Sequence, residues 1–295
     1  MKFKRSISLL VLGVSILSLI ATAFGIFTNK GSGEHEFTTI FGQVVTIYGK
    51  GIYSNNTFAA VMQAIPQDII TLAFGIPLLI ISLIMARKGL LKGKILLAGS
   101  LGYFLITYMM YTFIAMYNRL FLVYVLLMST SLFAFILTLL NFDFEKLSSA
   151  YNKKLPKKFV GGYLMFSTTI IGLLWLARVL PTLINGSIPI EVELGTTLAV
   201  QAFDLAFFLP GMFLSGLLLV RKKAFGFLLA PISTISNALI MIALLSKGIS
   251  MQLAGISGTL PMIVMTSLFG LLAIISSSMI LRSIQEPSLS IGNIA

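Results

Sequence analysis

Few side chains in this sequence could do chemistry, and they are carboxylates, an amide, a guanidinium and phenols set among apolar residues. In "QAFDLAFFLPGMFLSGLLLVRKK", Gln201 to Lys223, Asp204 is the single acid of a long apolar run. A helix beginning near Thr197 puts Asp204 about two turns in, roughly 10 Å below its entry at 1.5 Å per residue. Gln201 shares its face at i−3. A carboxylate at that depth needs a cation, a donor or water, and Arg178, near the end of the preceding helix, is the expected partner. Asp68 heads a second stretch of the same plan, "QDIITLAFGIPLLIISLIMARK", Gln67 to Lys88. It follows Pro66 and is expected in the first turn of its helix, where the dipole favours a negative charge by about 0.3 to 1 kcal/mol. Tyr108 and Tyr111, three apart, share a helical face. They either line a pocket or belong, with Tyr103, Tyr117 and Tyr124, to an aromatic belt at the headgroup level. Asp204, Gln201, Arg178, Asp68, Tyr108 and Tyr111 are thus the candidate set for binding a small molecule or an ion. The alternative is that these groups only clamp helices together.

Catalysis has no comparable footing. The chain has no cysteine, which removes disulfides, thiol chemistry and thiolate metal sites. Its single histidine, His35, lies between Glu34 and Glu36 in a loop, without the spacing of a ligand set. It has no His-Glu-x-x-His, no Gly-x-Ser-x-Gly and no phosphate-binding Gly-x-x-x-x-Gly-Lys-Ser/Thr. The expectation is no enzyme, no cofactor and no metal.

The elements that must position these groups follow from composition. Hydrophobic residues make up 57% of the 295 and charged residues 10%, too little polar surface to coat a soluble globule of this size. A bilayer span needs roughly 20 apolar residues, and about eight such runs are present: near 6–27, 68–86, 95–117, 120–140, 159–180, 197–220, 224–245 and 256–281. Backbone groups in hydrocarbon must be satisfied within the segment, so the expected fold class is all-α, a polytopic transmembrane helix bundle. The net charge of +12 does not indicate nucleic acid, because the cations follow the helix count. They gather at 2–5, 87–94, 146–158, 221–223 and Arg282, while the opposite loops hold Lys30, Lys50, Arg119 and Lys247. Both termini are therefore expected in the cytoplasm. The first apolar run ends in Ala21-Thr22-Ala23, similar to a signal-peptidase site, but its length through Phe27 favours an uncleaved span.

The two quoted stretches suggest an internal repeat. Pro77 stands ten residues before Arg87 and Pro210 eleven before Arg221, and "GKILLA" from Gly93 parallels "GFLLA" from Gly226, with one small insertion. The chain divides into two four-helix halves, 1–145 with an outer loop at 28–66, and 146–295 with a cytoplasmic linker at 141–158 and an outer loop at 181–196. Four spans return the chain to its starting side, so the repeats would be parallel, related by an axis along the membrane normal. Pro77 and Pro210 are expected to kink their helices. Ala98 and Gly102, four apart, form a small-residue pair suited to close helix packing.

"LLWLARVLPTLINGSIP", "TTLAVQAFDLAFFLP" and "RKKAFGFLLAP", with the first quoted helix, resemble a family of uncharacterised bacterial multi-spanning membrane proteins. The resemblance implies a bacterial cytoplasmic-membrane location and lends no catalytic residue. Two functions fit: a transporter-like or ligand-sensing protein with an outward-facing polar pocket, or a non-catalytic partner or accessory subunit of another membrane complex. The lipid bilayer is the expected partner in both, joined by a ligand in the first and a membrane protein in the second.

Overall fold

The computed structural model describes residues 2–286, so that Met1 and 287–295, the end of the second half, lie outside the described residues. Among the described residues, eight helices are long and apolar enough to cross a bilayer. They are α1 (Lys4–Phe27), α2 with α3 (Phe58–Ile70 and Ile76–Arg87), α4 (Leu91–Ile114), α5 (Phe121–Leu139), α7 (Lys157–Asn185), α8 with α9 (Ala199–Phe203 and Leu209–Val220), α10 (Ala224–Leu253) and α11 (Leu260–Ser283). A short α6 (Phe144–Leu147) lies in the linker, and β1 (His35–Thr38) pairs antiparallel with β2 (Val44–Ile47) in the first long loop.

Three boundaries differ from expectation by five residues or more, among them the end of α7, which runs through Pro181 to Asn185 and shortens the loop expected at 181–196. The second span begins at Phe58 because Thr57 caps α2, its hydroxyl oxygen accepting the Ala60 N–H at 3.2 Å, and Pro66 lies inside the helix instead of opening it. The first loop is accordingly 28–57. Lys247, expected in a loop, belongs to α10, which continues to Leu253. A lysine ends an apolar run in a sequence count, yet a long helix carries it without interruption.

Pro77 and Pro210 each follow a π turn, Thr71–Gly75 and Asp204–Phe208, and stand second in the α-helical segment that follows. A π turn stands immediately before each proline, inside a helical run that continues through it. The two regions match at a constant offset of 133 residues, Thr71 to Asp204: the π turns, α3 against α9, and the starts of α4 and α10 all coincide. The intervening turn is left-handed at Gly89 (φ 88°) and at Lys222 (φ 55°). The register is set by the prolines instead of the cations and requires no insertion. In it Asp68 faces Gln201 in number, and Thr71 faces Asp204, so the carboxylate moves by about one turn between the halves.

The central helix α10 packs on α2, α4, α9 and α11. Its closest approach to α4 is made by Gly99 and Gly102, where an added Cβ would lie 2.6 Å from Ile235 Cγ2 and from Ser236 Oγ respectively. Ser236 also donates to Gly99 O at 2.7 Å. Gly99 thus joins Gly102 among the small residues at this contact, and Ala98 is fully buried in an apolar cluster that includes Ile232 and Ile235 of α10. At the basic end of the bundle Glu286 accepts from the Leu91 and Lys92 N–H groups at 2.7 and 2.9 Å, satisfying the start of α4 from the far end of the chain.

Candidate functional site

With α2 beginning at Phe58, Asp68 is its eleventh residue, about 15 Å from the start at 1.5 Å per residue. This corrects its expected first-turn place. The helix dipole falls off within one turn, so the buried carboxylate relies on side-chain donors. Tyr53, from a 3₁₀ turn of the first loop (Gly51–Tyr53), reaches into the bundle and donates to Oδ2 at 2.5 Å. Tyr111 of α4 donates to Oδ1 at 2.9 Å. On the third side the backbone of α1 passes so close that a Cβ on Gly25 would stand 1.9 Å from Oδ2. Only glycine leaves room for the acid.

Around this centre the phenols form a continuous cluster. Ring centroids lie 5.2 Å apart for Tyr111 and Tyr124, 5.9 Å for Tyr108 and Tyr111, and 6.4 Å for Tyr53 and Tyr111. Tyr108 and Tyr111 therefore belong to the interior and not to a headgroup belt, as do Tyr103 and Tyr124. One turn along, the Gln67 amide donates to Tyr103 Oη at 2.8 Å, and Tyr103 Oη lies 2.7 Å from Thr71 Oγ1. The Thr71 proton goes to Gln67 O at 2.8 Å, so Tyr103 is the donor to Thr71. Lys247 of α10 is within electrostatic reach of Asp68 but beyond the 4.0 Å of an ion pair.

The second carboxylate has a different environment. Asp204 opens the other π turn, is half-buried, and accepts the Trp175 Nε1–H at 2.7 Å. Arg178 does not pair with it: the guanidinium meets Glu191 of the following loop at 2.9 Å and lies 5.9 Å from the Trp175 ring centroid. One turn farther along α7 than Trp175, Arg178 is carried past the acid toward the loop. Gln201 is buried on α8 beside Asp204. The candidate residues thus form two groups, Asp68 with Tyr108 and Tyr111, and Asp204 with Gln201.

Sequence reasoning missed Tyr53, Gly25, Trp175 and Glu191. Trp175 had a signal, being three residues before Arg178 on the same face. Tyr53 and Gly25 had none, since nothing local in a loop or in an apolar helix announces a distant carboxylate.

Outside the spans, burial holds the phenol of Tyr53 well above its ordinary range, with the nearby Tyr111 and Asp68 adding to the effect; burial does the same for Tyr151. Both groups bind their protons more tightly when folded. Stability should therefore be intact below about pH 10 and fall above it, by about 1.4 kcal/mol per pH unit for each tyrosine, as the unfolded chain ionises first. Thermal unfolding at alkaline pH checks this: Tyr53→Phe and Tyr151→Phe should each flatten the decline, and an unchanged slope would refute the assignment.

Compared with known proteins, the chain matches no family model, no curated protein and no solved structure.

Proposed function

We propose that this chain is a multi-pass membrane protein of two parallel four-helix repeats, with its basic turns and both termini in the cytoplasm, acting as a transporter-like or ligand-sensing protein. The observation that carries the reading is a pair of helices with matched π turns. Each carries its π turn and a proline at matched positions, and each has polar groups at the turn: Gln67, Asp68 and Thr71 in one, Gln201 and Asp204 in the other. Irregular helical turns at equivalent places in two repeats are a pointer to where transporters build substrate and ion sites. π turns concentrate at functional positions, and ionisable groups inside a span are costly enough to be kept for use.

A chain without cysteine makes the test direct. In intact cells an impermeant thiol reagent should label Ser187→Cys and spare Ser148→Cys, both exposed positions; the reverse pattern would overturn the orientation. Thr71→Cys, buried at the first π turn, should react slowly with a small cationic thiol reagent if the site opens to water during a working cycle. Complete protection of Thr71→Cys in folded, reconstituted protein would favour the second reading, a non-catalytic membrane partner. One observation leans that way: both oxygens of Asp68 already have donors within the chain.

A further inference from the structure

The hydrogen bonds at Asp68 can be satisfied in two ways, and the difference between them is one proton. Tyr111 Oη lies 2.9 Å from Asp68 Oδ1 and 3.1 Å from Ala64 O. A phenol has a single proton and cannot donate fully to both. With Asp68 ionised, Tyr111 donates to Oδ1, and Tyr53 donates to Oδ2. If a proton arrives on Oδ1, the new O–H donates to Tyr111 Oη, and the Tyr111 proton turns to Ala64 O, a carbonyl with two lone pairs. No buried group loses its partner, although an orphaned one would cost about 1–3 kcal/mol. A purely structural carboxylate has no need of this spare acceptor.

We propose that Asp68 is a proton-binding site, with Tyr111 as the group that keeps both charge states hydrogen-bonded and Tyr53 as the cover toward the loop side. This rests on the proposed transporter-like reading and names protons as a ligand of the first helix with a π turn. The step balances simply: one proton from water converts the carboxylate to the acid, the tyrosines stay neutral, and one O–H rotates. The titratable groups facing Asp68 are Tyr53 from the first loop, Tyr103, Tyr108 and Tyr111 from α4, Tyr124 from α5 and Lys247 from α10. From α1 the Gly25 backbone presses on the carboxylate.

The chain has three aspartates, Asp68, Asp143 and Asp204, which permits isolation of the signal without altering Asp68 or the tyrosines bonded to it. In the Asp143→Asn/Asp204→Asn protein, carboxyl-¹³C aspartate labels Asp68 alone. Infrared spectra of this full chain in liposomes should show the labelled acid C=O band growing as pH falls, at the expense of the carboxylate bands. Tyr111→Phe in the same background should shift the frequency of that band, because the acid loses its acceptor; a structural carboxylate would have no acid band to shift. A single charge state at every pH at which the protein stays folded would overturn the proposal, as would an acid band indifferent to Tyr111→Phe. The two readings fail separately. Protection of Thr71→Cys with a titrating Asp68 removes transport and leaves the proton site; labelling of Thr71→Cys with a silent Asp68 does the opposite.

Discussion

Gly25→Ala is expected to destabilise the protein by about 3–5 kcal/mol, and Asp68→Ala to restore part of that loss when the two are combined. The added methyl would sit 1.9 Å from Asp68 Oδ2, 2.8 Å from Tyr53 Oη and 2.9 Å from Asp68 Cγ. Overpacking alone costs about 1–3 kcal/mol. Displacing the carboxylate from its phenol donors costs about 1.5–3 kcal/mol more, since hydrogen bonds to a charged group are the strong ones. Asp68→Ala by itself strands the Tyr53 and Tyr111 hydroxyls, but it also removes two of the three clashing atoms. The double variant should therefore be more stable than the sum of the single losses allows by about 1 kcal/mol or more, within the range found for residues in contact. Reversible unfolding in mixed micelles measures the cycle. Simple additivity would mean that α1 does not press on Asp68.

Gly93→Ala and Gly226→Ala should each cost about 3 kcal/mol, by equal amounts. A Cβ on Gly93 would stand 2.4 Å from Ala86 N, and one on Gly226 would stand 2.3 Å from Leu219 N. These obstacles are backbone, which cannot rotate aside, so the helical hairpins α3–α4 and α9–α10 would have to open. The better helix propensity of alanine returns at most about 1 kcal/mol. Because the two sites share no partners, their losses should add. The equality carries the weight here: a protein that tolerates one substitution and not the other would show that the two halves do not use the same close packing, and the proposed repeat would lose its strongest structural support.

How far the sequence could be read depended on how local each feature is. The eight long helices were visible because a span is a contiguous apolar run bounded by charge. Helix starts were less visible. Capped by Thr57, α2 starts at Phe58, ten residues before the expected start at Asp68, and that one difference moves Asp68 from a dipole-stabilised first turn into the bundle interior. The tyrosines illustrate the same limit from the other direction. Their spacing put Tyr108 and Tyr111 on one face, but whether that face meets headgroups or other helices is decided by the neighbours, and the neighbours proved to be Tyr53, Tyr124 and Asp68.

By itself the sequence determined what its own backbone must do: form long helices, set Pro77 and Pro210 inside two of them, and gather most of its cations at one end of the bundle. Those outcomes follow from backbone hydrogen bonding and from hydropathy, which act within a few residues. Only the tertiary structure decided which groups meet. Tyr53 joins Asp68 across 15 positions and Tyr111 joins it across 43, while Arg178 turns to Glu191 and leaves Asp204 to Trp175. The physical reason is that a buried charge is stabilised by whichever donor the packing of separate helices brings within 3 Å, and glycines such as Gly25 set that packing by the atoms they lack.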